Sequence, residues 1–200
     1  AVMAAPKVAA VSVGSAIEGA TTPVRISLAS SDFPQVSVNV DWGDGSPDAV
    51  LSAAATGVLN LTHAFPDDSP TGGYAVSVTA TDARGLSAAH QARATVSNAA
   101  PVGLSVDVAT AMVTVAYSGH LLAVDVPADA LSWTRVSGPA WLSMTPTGLL
   151  SGTPQLADLG TSTLTVTAAD GDGGQTTQAI PVTVRAFNLA PAPSPDAYGA

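Results

Sequence analysis

Residues 36–40, Val-Ser-Val-Asn-Val, alternate apolar and polar side chains, and the alternation runs into Trp42 and then stops at Gly43 and Gly45. A period of two places Val36, Val38 and Val40 on one face of an extended strand, whereas a helix gathers residues three or four apart. The tryptophan is thereby driven toward an apolar interior, and the glycines turn the chain. The pattern returns at Tyr74, Val76 and Val78, and again over residues 92–96, 112–117, 164–166 and 180–184. A helical period is sustained nowhere. With 18 Gly and 15 Pro distributed among these short runs, the sequence specifies an all-β chain.

Its 200 residues suit two ordinary domains better than one large one. Asn98-Ala99-Ala100-Pro101 recurs as Asn188-Leu189-Ala190-Pro191, 90 residues later, and each copy follows an alternating strand. Proline removes a ladder donor and fixes φ, so it ends one sheet and stiffens the passage to the next. The expected division is 1–97, 98–187 and, over 188–200, a linker and the start of a further module.

Composition narrows the function. There are eight acids against four bases in residues 1–97 and seven against two in 98–200, with no cluster of bases. Such a chain lacks the footprint for a phosphate backbone, so nucleic acid is not an expected partner, and cations are the class the charge favours. No cysteine is present, which removes thiolate catalysis and disulfides. The longest charge-free run, 136–157, contains Pro139, Pro146 and Pro154, so no membrane span is expected. The N-terminus has neither a basic segment nor a continuous apolar one, and the chain is taken as a piece of a longer protein.

Catalytic constellations are missing from the pattern. His63, His90 and His120 stand in no metal-protease spacing, Gly-x-Ser-x-Gly does not occur, and Lys7 is the single lysine. Asp41 and Asp44 flank a turn, where carboxylates accept backbone N–H bonds. Tyr74 stands at the corner leading into a strand, where its hydroxyl is expected to bond backbone upstream. Trp42, Trp133 and Trp141 occupy core-like positions, which leaves few aromatics for stacking on sugars.

The set Trp42-Gly43-Asp44-Gly45-Ser46, His63-Ala64-Phe65, Gly73 to Val78, Asp82 and Gly85 resembles the polycystic kidney disease (PKD) family of immunoglobulin-like domains over roughly residues 8–97. Phe65 stands where that family usually has Tyr. In the second half, Pro139-Ala140-Trp141-Leu142-Ser143, then Gly148-Leu149-Leu150-Ser151-Gly152-Thr153-Pro154, then Thr163 to Asp170 resemble the putative-Ig and dystroglycan-type cadherin-like families. The resemblance implies two tandem immunoglobulin-like β-sandwiches, the second seven-stranded. It further implies a non-catalytic spacer and interaction module pair of a larger extracellular or cell-surface protein, contacting a protein or carbohydrate ligand beside neighbouring modules of the same chain. The alternative is a pair of carbohydrate-binding accessory domains of a secreted polysaccharide-degrading enzyme.

One site is expected from strand order. In such a sandwich the first, third and fifth turns gather at the end where the chain leaves, and they carry Glu18, Asp44, Asp48, Asp67 and Asp68, with Asn98 in the linker. Asp170 and Asp172 lie in the last turn of the second module, at its opposite pole. Carboxylates brought together repel, and a hard cation taking 6 to 8 oxygens offsets that repulsion. Calcium is the expected ion, held by Glu18, Asp67, Asp68, Asn98, Asp170 and Asp172; cadherin-like families place calcium at such joints.

Overall fold

The computed structural model describes residues 4–29 and 32–187. The second Asn-x-Ala-Pro copy and the expected further module over 188–200 lie outside the described residues. The chain forms two compact units. The first holds the chain up to Ala99 together with two short later segments, Asp125–Ala130 and Asp172–Gly174; the second holds Ala100–Val124, Leu131–Gly171 and the chain from Gln175.

In the first unit the strands are β1 (Val8–Val13), β2 (Ala16–Ile17), β3 (Thr21–Leu28), β4 (Gln35–Asp41), β5 (Ala49–Ala54), β6 (Gly57–Ala64), β7 (Tyr74–Thr81), β8 (Ser87–Ala94) and β9 (Val96–Ser97). One layer is ordered β1-β3-β6 and the other β5-β4-β7-β8, while β2 pairs with β9 in parallel. The alternation seen in the sequence becomes the inner face. Val36, Val38 and Val40 on β4 and Val76, Val78 and Ala80 on β7 are buried against Val24 and Ile26 of β3. Each such valine contributes about 1.5–3 kcal/mol on burial.

An aromatic series crosses this core. The Trp42 ring stacks on His63, His63 meets Phe65 edge-on, and Phe65 lies parallel to Tyr74 with centroids 5.6 Å apart. Trp42 reaches its place because Gly43 turns the chain at φ 75°, and a Cβ there would lie 2.6 Å from the Ala75 carbonyl oxygen. Only glycine fits both conditions.

The second unit contains β10 (Val102–Val106), β11 (Thr110–Met112), β12 (Tyr117–Val124), β13 (Ser132–Ser137), β14 (Leu142–Met144), β15 (Leu149–Gly152), β16 (Gly160–Ala169) and β17 (Gln175–Arg185). Its layers are ordered β10-β12-β15-β14 and β11-β17-β16-β13. The strands number eight rather than the seven implied, because the edge strand breaks after Val106: β10 pairs with β12 in one layer, and β11 crosses to pair in parallel with β17 in the other. Leu104, Leu142, Leu150, Leu164, Val166, Ile180 and Val182 fill the interior. Pro181 is tolerated in β17 because it lies before the stretch covered by β11, whose register begins at Thr183. Both units are immunoglobulin-like β-sandwiches.

The tryptophans divide. Trp42 and Trp133 are buried, whereas Trp141 is only partly buried and packs on the second core from its margin, edge-on to Tyr117. A fully internal Trp141, as its place before a Gly/Pro corner suggests, is therefore corrected: the side chain is only partly covered, although its Nε1 is turned away from solvent.

Candidate functional site

Most polar side chains singled out in the sequence are engaged in holding turns. Asp41 Oδ1 accepts the Gly43 N–H at 2.9 Å, and Asp44 Oδ1 accepts the Ser46 N–H at 2.9 Å, as Asx residues do. The Tyr74 hydroxyl donates to the Asp68 carbonyl at 2.8 Å, six residues upstream, which is the expected corner bond.

Asp44, Ser46 and His63 form a grouping that sequence spacing did not reveal. Asp44 Oδ2 lies 2.6 Å from His63 Nε2, and Oδ1 accepts the Ser46 hydroxyl at 2.5 Å. The carboxylate thus holds both partners, so the serine O–H is directed to Asp44 and not to the imidazole, unlike a nucleophile activated by histidine. Burial acts to raise the Asp44 carboxyl, but hydrogen bonds from His63 and from the Ser46 side chain and backbone outweigh it and hold the group below the usual carboxylate range.

The acids form a second grouping within the first unit. Glu18 directly follows β2, whose position is fixed by the Glu18 N–H bond to Ser97 O (3.1 Å) and the Gly19 N–H bond to Phe65 O (2.8 Å). Its side chain is only 3% exposed. Oε1 accepts the Ala99 N–H at 2.7 Å, and the buried Oε2 has no hydrogen-bond partner. Asp67 lies in the turn between β6 and β7. Asp129 sits in a turn closed by its own N–H to Val126 O at 3.1 Å, and Asp125 Oδ1 accepts the Val126 N–H at 3.0 Å. One carboxylate oxygen from each of Glu18, Asp67 and Asp129 lies within 4.8 Å of the others.

The electrostatics follow from this crowding. Burial pushes the Asp129 carboxyl up to about 6, and the carboxylates of Glu18, Asp125, Asp172 and Asp67 reinforce the rise. Burial also raises Glu18, opposed by the backbone N–H groups of Ala99 and Asp68 and aided by the carboxylates of Asp68 and Asp67.

Of the six residues expected to hold calcium, Glu18 and Asp67 are brought together. Asp68 and Asn98 are half-buried beside them along the chain, with the Asp68 carbonyl taken by Tyr74. Asp172 is exposed, and Asp170 is buried at the end of β16 in the second unit. Asp125 and Asp129 were missed. Their signal was two acids four residues apart around Pro127, directly after the alternating strand that ends at Val124.

The family model described as Putative Ig domain matches residues 100–185. No curated protein matches the chain in sequence. Among solved structures, an endo-fucoidan hydrolase of glycoside hydrolase family 107 is 21% identical, with 87% of this chain and 27% of that one covered and a TM-score of 0.41. Extracellular domains 3–5 of Drosophila OTK are 14% identical over 90% of this chain and 65% of that one, at a TM-score of 0.47. A titin fragment is 13% identical over 91% and 66%, at 0.48. The chain thus spans about a quarter of the hydrolase and under two thirds of the OTK fragment.

Proposed function

We propose that the chain is a non-catalytic, extracellular spacer and interaction module pair of a larger surface or secreted protein, a PKD-type sandwich followed by one of the putative-Ig type. The PKD assignment rests on the Trp42-Gly43-Asp44-Gly45 corner and on His63, which the fold stacks together. The observation that carries the interaction role is an apolar stripe on the outer face of one layer of the second unit. Val102 and Val124 face each other across β10 and β12 at 58% and 68% exposure, and Leu122 follows at 48%. Apolar side chains clustered on adjacent strands and left in water mark a surface for protein contact.

The carbohydrate-binding alternative needs exposed aromatics; Trp42, Trp133, Phe65 and Tyr117 are buried, which leaves Phe187, 60% exposed, and partly buried rings such as Trp141 as scattered candidates and not a strip. Affinity electrophoresis of the purified chain through gels containing fucoidan, xylan or a soluble cellulose derivative tests both readings. Unretarded mobility is expected; retardation abolished by Trp141→Ala establishes the carbohydrate role instead. Cross-linking on the parent cell surface, compared between wild type and a Leu122→Lys/Val124→Lys variant of equal stability, tests the stripe. Unchanged adducts overturn it.

A further inference from the structure

We propose that Glu18, Asp67 and Asp129 form a calcium site of the first unit. The first ground is spacing. Calcium holds its oxygens at about 2.3–2.6 Å, so ligands of one shell lie at most about 5 Å apart. The three carboxylate oxygens, all within 4.8 Å of one another, fit in a single shell without rearrangement. Magnesium, with bonds of about 2.0–2.1 Å and a strict octahedron, requires them to close up further.

The second ground is independent of the acid count. Glu18 is 97% buried by its 3% exposure, and its Oε2 is a buried acceptor that makes no hydrogen bond, with the Asp68 backbone N–H acting on the carboxylate alongside that of Ala99. An acceptor taken from water without a partner is strongly disfavoured, and each such atom in a native fold has a reason. Asp129 Oδ2 and Asp125 Oδ2 are in the same condition. No basic side chain meets this need: the described ion pairs engage Asp44, Asp32, Asp82 and Asp107. A single cation satisfies several orphaned carboxylate oxygens together and offsets their mutual repulsion.

The third ground is positioning. Glu18 is pinned by the β2–β9 pairing and by the Ala99 N–H, and Asp129 by its turn onto Val126. Glu18 and Asp129 thus arrive on separately fixed backbones, and Asp125, four residues before Asp129, with water would supply the remainder of the 6 to 8 oxygens. Bound calcium ties the Asp125–Ala130 segment to β2 and to the β6–β7 turn.

The test uses the full chain stripped with chelator. Titration with calcium chloride is expected to give saturable heat, and the unfolding midpoint to rise by roughly 10 °C at a hundredfold excess over Kd. Terbium, a hard luminescent probe, is expected to light up through Tyr74, whose hydroxyl bonds the carbonyl beside Asp67, and calcium is expected to quench that emission by displacement. Glu18→Gln and Asp129→Asn should each weaken binding at least tenfold, and Asp48→Asn, outside the cluster, should leave it intact. If Glu18→Gln fails to fold, Asp129→Asn gives the same readout. Absence of saturable heat with an unchanged midpoint overturns the site, as does binding that survives both substitutions.

Discussion

The imidazole of His63 lies flat on the indole of Trp42, ring centroids 4.2 Å apart and planes 4° from parallel, while its Nε2 meets the Asp44 carboxylate at 2.6 Å. One side chain therefore joins the apolar core to the turn that delivers the tryptophan. Because Asp44 is held below the ordinary carboxylate range in the folded state, the unfolded chain binds the proton more readily. Its stabilisation is thus fully present above the unfolded carboxylate pKa of about 4 and is lost as pH falls through the lower folded value. Asp44→Asn should lower the unfolding midpoint at pH 7, and the gap from wild type should narrow below about pH 4. A gap independent of pH removes the linkage.

Trp42→Ala should cost about 3–5 kcal/mol, the range for deleting a large buried aromatic. Trp141→Ala should cost clearly less, since the indole is only partly covered. Chemical denaturation of both variants gives the comparison, and equal losses contradict the placement of Trp141 at the rim.

Gly43→Ala and Gly45→Ala separate two kinds of glycine. Both residues have positive φ, 75° and 83°, but a Cβ on Gly43 strikes the Ala75 backbone whereas one on Gly45 meets open space. Gly45→Ala should cost about 1–2 kcal/mol of backbone strain alone, and Gly43→Ala distinctly more. Equal midpoints argue against the close approach of β7 to this turn.

Tyr74→Phe removes one hydroxyl and strands the Asp68 carbonyl it served. The expected loss is about 1 kcal/mol, read from urea unfolding, with the Phe65 stacking preserved in near-ultraviolet circular dichroism.

Which of these features could be foreseen depended on the range over which they are encoded. Val36, Val38 and Val40, the Asx bonds of Asp41 and Asp44, and the Tyr74 corner are local, and alternation or turn chemistry within a few residues announces them. The Glu18–Asp67 approach was also foreseeable, since strand order alone gathers those turns at one end. The Asp129 carboxylate was not, because its meeting with Glu18 depends on which unit the Asp125–Ala130 segment packs into, and no periodicity carries that information. Likewise the division of one edge strand into β10 and β11 hides in an unremarkable Asp-Val-Ala stretch after Val106. The strand expected over 112–117 is mostly the turn that joins β11 to β12, and β12 itself, Tyr117–Val124, escaped notice because the solvent-facing Leu122 and Val124 blur its alternation.

The parallel pairing of β2 with β9, repeated by β11 with β17, has a mechanical consequence. In a parallel pair the point where the chain enters one strand and the point where it leaves the other are at opposite ends of the ladder. Tension along the polypeptide therefore slides the two strands lengthwise, loading their hydrogen bonds together instead of opening them one at a time from an end. The antiparallel strands β1 and β10 stand ahead of these pairs on the N-terminal side of each unit, so once they peel away each sandwich is held by a latch in shear, and the buried valines behind it stay dry until it slips.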